Sequence, residues 1–316
     1  MSSKQPARVS RRSVVAGGLA GGISLALGWQ RALAATKTSS LPLITKTIPS
    51  SGEKLPVVGI GTNQYSVTAP EEIAARRAVL EHLPKLGGKV VDTAWRYGDA
   101  EIVIGNLVKE LGNRAELFIA TKTPTPGEGP SGAAALDLAF TRLQMPTIDL
   151  LQIHSFRGID ELFPVLVDAK KAGKIRYIGV TTSTDEQYPQ MLEALQKRRL
   201  DFIQVDYSIE NQGAESILQL AKDKGVAVLI NVPLGGRGGS LLSKVKNKPL
   251  PDWAAEIDAA SWPQLLLKYT IAHSAVTAVI PGTTKLEHLQ DNQLAGRGRL
   301  PDAAFRKKIE QHWTTV

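Results

Sequence analysis

The sequence predicts an α/β fold, a (β/α)8 TIM barrel with an N-terminal β-hairpin and a C-terminal helix. Beyond Leu43, eight short apolar runs alternate with helical segments, which is the element order of such barrels. The apolar runs lack hydrophobic–polar alternation, which indicates a parallel sheet covered on both faces. An open doubly wound sheet is the alternative. It is disfavoured because polar residues, and not a helix start, follow Gly59-Ile60-Gly61, so the dinucleotide fingerprint is incomplete.

Each element has a local signal. The segment Leu43–Lys54 predicts the hairpin, with Ser51-Gly52 at its turn. Ser131 is a suitable cap for the third helix, and glycines such as Gly112 and Gly173 end helices. The predicted strands are Pro56–Thr62, Val90–Asp92, Leu117–Lys122, Ile148–His154, Ile175–Val180, Phe202–Asp206, Val226–Asn231 and Ala278–Pro281. The predicted helices are Pro70–Leu86, Glu101–Leu111, Ser131–Leu143, Gly158–Ala172, Glu186–Lys197, Ala214–Lys224, Ser261–His273, Leu286–Gln293 and Asp302–Trp313.

Composition excludes several classes of protein. The chain has 316 residues, 43% of them hydrophobic, which is enough to bury a full core. It has no cysteine, so disulfide frameworks and thiol nucleophiles are excluded. The net charge of +8 is concentrated in the first 34 residues, which hold five basic residues and no acid. The remaining 33 basic and 30 acidic residues give +3, so no nucleic-acid partner is expected.

The first 34 residues have the pattern of a secretory signal. Arg11-Arg12 precede the apolar run Val14–Leu27, and Ala32-Leu33-Ala34 forms a small-x-small cleavage pattern. The paired arginines and the glycine-rich, weakly hydrophobic run resemble a twin-arginine signal, which implies the twin-arginine export machinery as a partner. The run is shorter than the roughly 20 residues that span a bilayer, so no stable membrane anchor is expected after cleavage.

These patterns predict three regions and a location. Residues 1–34 are the signal peptide, residues 35–42 a short linker, and residues 43–316 the barrel domain. The mature protein is expected to be periplasmic or otherwise exported, and the missing cysteines suit an oxidising compartment.

Polar residues close three successive predicted strands. Asp92 ends the second strand, Lys122 the third and His154 the fourth, and Tyr97 lies on the loop after Asp92. The carboxyl ends of parallel strands meet at one rim, so these side chains can share a pocket. Each residue alone has an ordinary explanation as a helix cap, a loop plug, a solvated lysine or a strand-end histidine. Their common register favours a catalytic site.

The block Asp92–Glu101 reads D-T-A-W-R-Y-G-D-A-E. Together with Lys122 and His154 it resembles the catalytic tetrad of the aldo-keto reductase family, and the similarity extends from about Leu41 to the C-terminus. The resemblance implies a nicotinamide cofactor, a small-molecule carbonyl substrate and a chain that is often monomeric.

The tetrad implies carbonyl reduction with Tyr97 as general acid. A phenol is a weak acid at neutral pH, and a nearby ammonium such as that of Lys122 favours the phenolate. Asp92 would hold Lys122 charged and in place. His154 would orient the substrate oxygen or assist the proton transfer. Trp95 would line the substrate pocket, or else pack against its own loop.

The resemblance also implies a cofactor site across the later strand ends. Gln204 matches the amide that grips the cofactor carboxamide. The family's Ser-Asn pair falls on Thr181 and Thr182, which keeps a hydroxyl and loses the amide. The family's ring-stacking aromatic residue falls on Asn231, which is a departure from the pattern. The loop that folds over the pyrophosphate matches Pro233, Leu234, Gly235 and Arg237.

The loop after the eighth strand would hold the adenosine end. It opens a helix whose N-terminus suits a phosphate. The family's phosphate-binding Lys, Ser and Arg fall on Gly282, Thr283 and His288, with Thr284 beside them, and Lys285 could substitute in part. Asn292 matches the asparagine that meets adenine. The pattern favours NADP(H), with NAD(H) as the alternative.

Two alternatives to an exported reductase remain at this stage. A non-catalytic barrel could hold the nicotinamide cofactor and bind a partner, since Thr182 and Asn231 depart from the family pattern. A hydrolase is disfavoured because no carboxylate pair is recognisable and His82, His273 and His312 lack metal-ligand spacing. The run Lys244–Lys248 is predicted to be a solvated, flexible loop and not an anion site.

Overall fold

Eight parallel strands form a nearly closed barrel in the computed structural model of the protein. The structure describes residues 40–124, 127, 129–236 and 239–316. The predicted signal peptide, most of the linker and Arg237 lie outside these described residues. Residues Pro42–Val316 form one compact unit with its own core, and the predicted TIM barrel is confirmed.

Strand and helix alternate along this unit. The strands are β1 Thr45–Thr47, β2 Lys54–Pro56, β3 Ile60–Gly61, β4 Val90–Asp92, β5 Phe118–Lys122, β6 Ile148–His154, β7 Ile175–Thr181, β8 Phe202–Asp206, β9 Ala227–Asn231 and β10 Ala278–Val279. The helices are α1 Pro70–Lys85, α2 Ala100–Leu111, α3 Gly132–Leu143, α4 Ile159–Lys171, α5 Tyr188–Lys197, α6 Glu215–Asp223, α7 Leu241–Val245, α8 Trp262–Ile271, α9 Leu286–Leu294 and α10 Ala303–Trp313. Short 3₁₀ turns lie at Arg114–Glu116, Asp185–Gln187 and Asp252–Ile257.

The barrel strands β3 to β10 pair with their neighbours in chain order, all in parallel. Single parallel bridges join Val58 to Val279 and Gly61 to Gly282, so the first barrel strand also meets the last. All eight strands therefore have their carboxyl ends at one rim.

The predicted hairpin plugs the other end of the barrel. Strands β1 and β2 are antiparallel, and the side chains of Ile48 and Leu55 are fully buried against the barrel interior. There Phe118, Tyr177 and Phe202 pack with ring centroids 5.4–5.9 Å apart. The Tyr177 hydroxyl lies 2.7 Å from a Glu53 carboxylate oxygen on the hairpin turn. The buried apolar side chains, with the hydrogen bond between Tyr177 and Glu53 at their edge, thus close this end of the barrel.

Two predicted elements differ from the structure. The first barrel strand was predicted over Pro56–Thr62, whereas Pro56 belongs to the hairpin and only Ile60–Gly61 pair regularly. The run Lys244–Lys248 is not all loop, because α7 includes Lys244 and Val245. Ser240 caps this helix, Val245 is buried, and Lys244 pairs with Glu210. No helix within the described residues is long and apolar enough to cross a bilayer.

Candidate active site

Asp92 and Lys122 form a buried ion pair at the rim where the strands end. They close the neighbouring strands β4 and β5, and the Lys122 ammonium lies 2.6 Å from a carboxylate oxygen of Asp92. The ammonium also donates to the carbonyl of Thr93 at 2.8 Å, and both side chains of the pair are nearly inaccessible. Burial alone would lower the pKa of Lys122, but Asp92 and Tyr97 raise it above its ordinary value. Lys122 is therefore a fixed positive charge.

Tyr97 lies within reach of this charge. The turn after β4, in which the Tyr97 amide donates to the carbonyl of Ala94 at 3.0 Å, directs the ring back over the rim. The centroid of the ring is 5.3 Å from the Lys122 ammonium nitrogen. The side chain is half-buried. The phenol of Tyr97 and the amine of Lys122 therefore lie close together, as the sequence predicts.

His154 closes β6 on the same rim as a neutral imidazole. Burial, followed by the positive charges of Lys122, Arg96 and Arg157, lowers the pKa of His154 to about 3. Its buried Nδ1 atom has no hydrogen-bond partner in the part of the chain that the structure describes. The ring therefore offers hydrogen bonds without adding a charge.

The side-chain amides of Gln204 and Gln152 lie against the Asp92 carboxylate. Its second oxygen accepts from Gln204 Nε2 at 2.7 Å and lies 3.4 Å from Gln152 Nε2. Gln152 was not among the predicted site residues. Its position in β6 could have revealed it, since residues two apart on a strand face the same side and His154 is two residues further on.

One cavity of about 510 Å³ joins the tetrad to much of the predicted cofactor site. We call it the strand-end cavity. Its walls include all four predicted catalytic residues and eight predicted cofactor contacts, namely Thr181, Thr182, Gln204, Asn231, Pro233, Leu234, Gly235 and Gly282. Gly61, at the end of β3, and the next three residues, Thr62, Asn63 and Gln64, form a further wall. Sequence reasoning missed these four because Gly-x-Gly before polar residues is a weak signal.

Trp95 does not line the strand-end cavity. It borders a separate shallow hollow with Arg96, Gly98, Asp99 and Arg142, and its indole lies against Gly129. Of the two positions predicted for Trp95, the structure shows packing against a loop, and a contact with the substrate stays a prediction.

The residues predicted to contact the adenosine end of the cofactor do not all face one site. Thr283 is buried, and its hydroxyl donates to the carbonyl of Pro281 at 3.0 Å. Asn292 is also buried, with its amide nitrogen 3.4 Å from the Thr283 hydroxyl. These two side chains brace the loop and do not face the cavity. Thr284 is half-buried, while Lys285 and His288 are exposed at the N-terminus of α9.

The N-terminus of α9 keeps its capacity for an anion. Lys285 is the capping residue of α9, and no side chain in the described residues supplies a capping hydrogen bond there. The amide groups of the first turn can therefore still receive a phosphate.

Comparison with known proteins decides the family. The model of the Aldo/keto reductase family matches residues 57–313. The chain belongs to this family. It is 28% identical over 299 residues to aldo-keto reductase yakc of Schizosaccharomyces pombe, whose name specifies NADP(+), with 81% of this chain and 88% of that protein covered. It is 24% identical to L-galactose dehydrogenase of Arabidopsis thaliana, with coverage of 79% and 87%.

Solved aldo-keto reductases have the same fold. The holo form of AKR11C1 from Bacillus halodurans matches with a TM-score of 0.67 and 23% identity, covering 85% of this chain and 96% of that one. A reductase from Klebsiella pneumoniae, solved with NADP and acetate, matches with a TM-score of 0.67 and 23% identity, covering 83% and 93%.

Proposed function

We propose that this chain is an exported NADP(H)-dependent reductase that converts a small aldehyde or ketone to an alcohol. The observation that carries the proposal is the Lys122 ammonium, held 2.6 Å from Asp92 and 5.3 Å from the centre of the Tyr97 ring. A phenol beside a fixed, buried ammonium can give up a proton to a developing alkoxide.

The residues of the strand-end cavity suit a nicotinamide cofactor. A relative named for NADP(+) and a neighbour solved with NADP support the choice of NADP(H). Thr181, Thr182, Gln204 and Asn231 would hold the nicotinamide end, and Pro233–Gly235 the pyrophosphate. Thr181, Gln204 and Asn231 bring hydroxyl and amide groups to the cavity wall, which supports the binding of a polar ligand. When bound, the cofactor supplies the hydride that no side chain can provide.

Each catalytic side chain then has one task. Tyr97 donates its proton to the carbonyl oxygen of the substrate, and Lys122 stabilises the phenolate that remains. Asp92, fixed by Gln204, keeps Lys122 charged and oriented. His154 donates a hydrogen bond from a neutral ring to the same oxygen, which positions the carbonyl beside Tyr97.

Turnover of a small aldehyde by the purified mature protein tests the proposal. We expect NADPH to be consumed with aldehyde, and Tyr97→Phe to lower kcat by about 10²-fold or more while NADPH still binds. Because Tyr97→Phe removes only the hydroxyl and keeps the ring, a loss of turnover in this variant reports on the hydroxyl. Retained cofactor binding without turnover in the wild type would favour the alternative, a nicotinamide-binding barrel that acts through a partner.

The export route is a separate part of the proposal, supported by the sequence of residues 1–34 alone. A reporter enzyme fused to residues 1–34 should appear outside the cytoplasm. When Arg11 and Arg12 are both replaced by lysine, the reporter should stay in the cytoplasm. Export of the double variant at the wild-type level would exclude the twin-arginine route.

A further inference from the structure

Gln204 faces the interior of the barrel from β8 and meets Asp92 there. Phe202, two residues earlier on β8, and Val90, two residues before Asp92, both belong to the buried cluster inside the barrel. Side chains two residues apart on a strand point to the same side, so Gln204 and Asp92 also point inward. The strands β4 and β8 lie four places apart in a barrel of eight, so the two side chains approach each other across its interior.

The hydrogen bond between these two side chains is short and buried. Gln204 Nε2 donates to Oδ1 of Asp92 at 2.7 Å, while Lys122 donates to Oδ2 at 2.6 Å. Each oxygen of the carboxylate thus has a close donor of its own, one an amide and the other the ammonium. Gln204 and Asp92 are each 2% exposed, so the bond is shielded from water and is correspondingly strong.

The orientation of the Gln204 amide follows from its two neighbours. Its oxygen lies 3.4 Å from Nδ2 of Asn231, which also donates to the carbonyl of Thr182 at 2.9 Å. Turned over, the amide would place its oxygen against the Asp92 carboxylate and its nitrogen against another N–H donor. A chain of hydrogen bonds therefore runs in one direction from Asn231 through Gln204 to Asp92.

The position of Asp92 matters because this carboxylate holds the ammonium beside the phenol. Lys122 donates only to Asp92 and to the carbonyl of Thr93 within the described residues. Its nitrogen lies 5.3 Å from the centre of the Tyr97 ring. Without the amide donor, Oδ1 of Asp92 would be a buried charged acceptor short of a close hydrogen bond. The carboxylate could then turn toward another donor, and the ammonium would move with it.

We propose that Gln204 is a positioning residue for the proton transfer: by donating to Asp92 across the barrel, it keeps the Lys122 ammonium beside Tyr97. The family resemblance implies only a contact between Gln204 and the cofactor carboxamide, whereas the amide nitrogen already donates to Asp92. This inference rests on the proposed function, since it concerns the reduction that Tyr97 would serve.

The variant Gln204→Leu tests this role, because leucine is similar in size and has no donor. We expect kcat at saturating NADPH to fall about ten-fold or more, the loss typical of a hydrogen bond to a charged group. Titration with NADPH gives the dissociation constant, and so the concentration that saturates the variant. A wild-type kcat at saturation, whatever the affinity for NADPH, would overturn the positioning role. Gln204→Met removes the same donor with a more flexible side chain, and it replaces Gln204→Leu if leucine does not pack.

A double-mutant cycle shows whether the effect passes through Asp92. Asp92→Asn keeps the shape of the side chain and removes the charge that holds Lys122. If Gln204 acts through Asp92, adding Gln204→Leu to Asp92→Asn should lower kcat further by less than about two-fold. Losses that multiply in full would mean that Gln204 acts elsewhere, and would overturn the inference. The single variant decides even where the double variant fails to fold.

The variant Gln152→Leu is the matched comparison. Gln152 approaches the same carboxylate oxygen of Asp92, but its nitrogen lies 3.4 Å away, compared with 2.7 Å for Gln204. The same substitution there should therefore lower kcat by a smaller factor. An equal or larger loss in Gln152→Leu would overturn the role given to the short bond.

The activity of the wild type separates this inference from the proposed function. A wild type that reduces aldehydes, with Gln204→Leu equally active, overturns the positioning role and leaves the reductase proposal standing. A wild type that reduces no small aldehyde overturns the proposed function, and the positioning role with it.

Discussion

At the scale of single residues, burial and neighbouring charges together decide which charge each predicted catalytic group carries. Lys122 and His154 both lie at the rim, but Lys122 has the Asp92 carboxylate at 2.6 Å, while positive charges surround His154. The site therefore holds one permanent cation and one neutral ring. A substrate carbonyl would meet a charge on one side and an uncharged hydrogen-bond donor on the other.

The lowered pKa of His154 predicts how stability depends on pH. The ring has a pKa of about 3 when folded, whereas an unfolded histidine titrates near its ordinary value of 6.5. The unfolded chain therefore binds more protons between these values, and stability must fall as pH falls through this window. In His154→Gln this contribution is absent.

Thermal unfolding at several pH values measures that difference. The loss of Tm between pH 6.5 and pH 4 should be smaller in His154→Gln than in the wild type, because His273 and the carboxylates contribute equally to both. Parallel curves for the two proteins would show that His154 is not a buried neutral ring.

At the scale of elements, Arg142 fastens α3 both to the first turn of α2 and to the loop that carries Tyr97. Arg142, near the end of α3, lies 2.9 Å from a carboxylate oxygen of Glu101 and donates to the carbonyl of Gly98. Glu101 is fully buried and also accepts from Thr121, the neighbour of Lys122, at 2.6 Å. One guanidinium thus links the loop that carries Tyr97 to the strand that carries Lys122.

Removing this guanidinium should loosen the loop that carries Tyr97 and leave intact the walls of the strand-end cavity that would hold the cofactor. We expect Arg142→Ala to lower stability by about 3–5 kcal/mol, because the Glu101 carboxylate is then buried without its cation. We expect kcat to fall while the dissociation constant for NADPH stays near the wild-type value. Urea denaturation and a binding titration measure the two effects.

Glu101→Gln added to Arg142→Ala serves as the control. It removes the uncompensated charge, so it should restore stability without restoring the position of the loop. If kcat recovers together with stability, the link only stabilises the fold.

At the scale of the whole molecule, the barrel and the meeting of Asp92, Lys122 and His154 at one rim were predictable, whereas the fine contacts were not. Asp92, Lys122 and His154 end strands, and parallel order alone brings strand ends to one rim. Trp95 depends on the path of one loop, which no periodicity encodes. Thr283 depends on which of several nearby carbonyls its hydroxyl meets. Such choices are settled by packing, so the sequence pattern left them open.

The barrel unit should be self-sufficient from the hairpin onwards. Its closure uses backbone hydrogen bonds between the first residues of the unit and the segment after α9, such as Ile44 N to Gly296 O at 2.8 Å. A protein that begins at Ala35 keeps all of these, so its Tm and NADPH affinity should equal those of the full chain.

A protein that begins at Val57 provides the contrast. It lacks the fully buried side chains of Ile48 and Leu55, which cover the aromatic cluster at the closed end of the barrel. Each lost aliphatic side chain costs about 2–5 kcal/mol, so most or all of the stability of an ordinary domain would be lost. Calorimetry on the two truncated proteins checks this: a Tm for the shorter protein close to that of the longer one would show that the hairpin is not part of the cooperative unit.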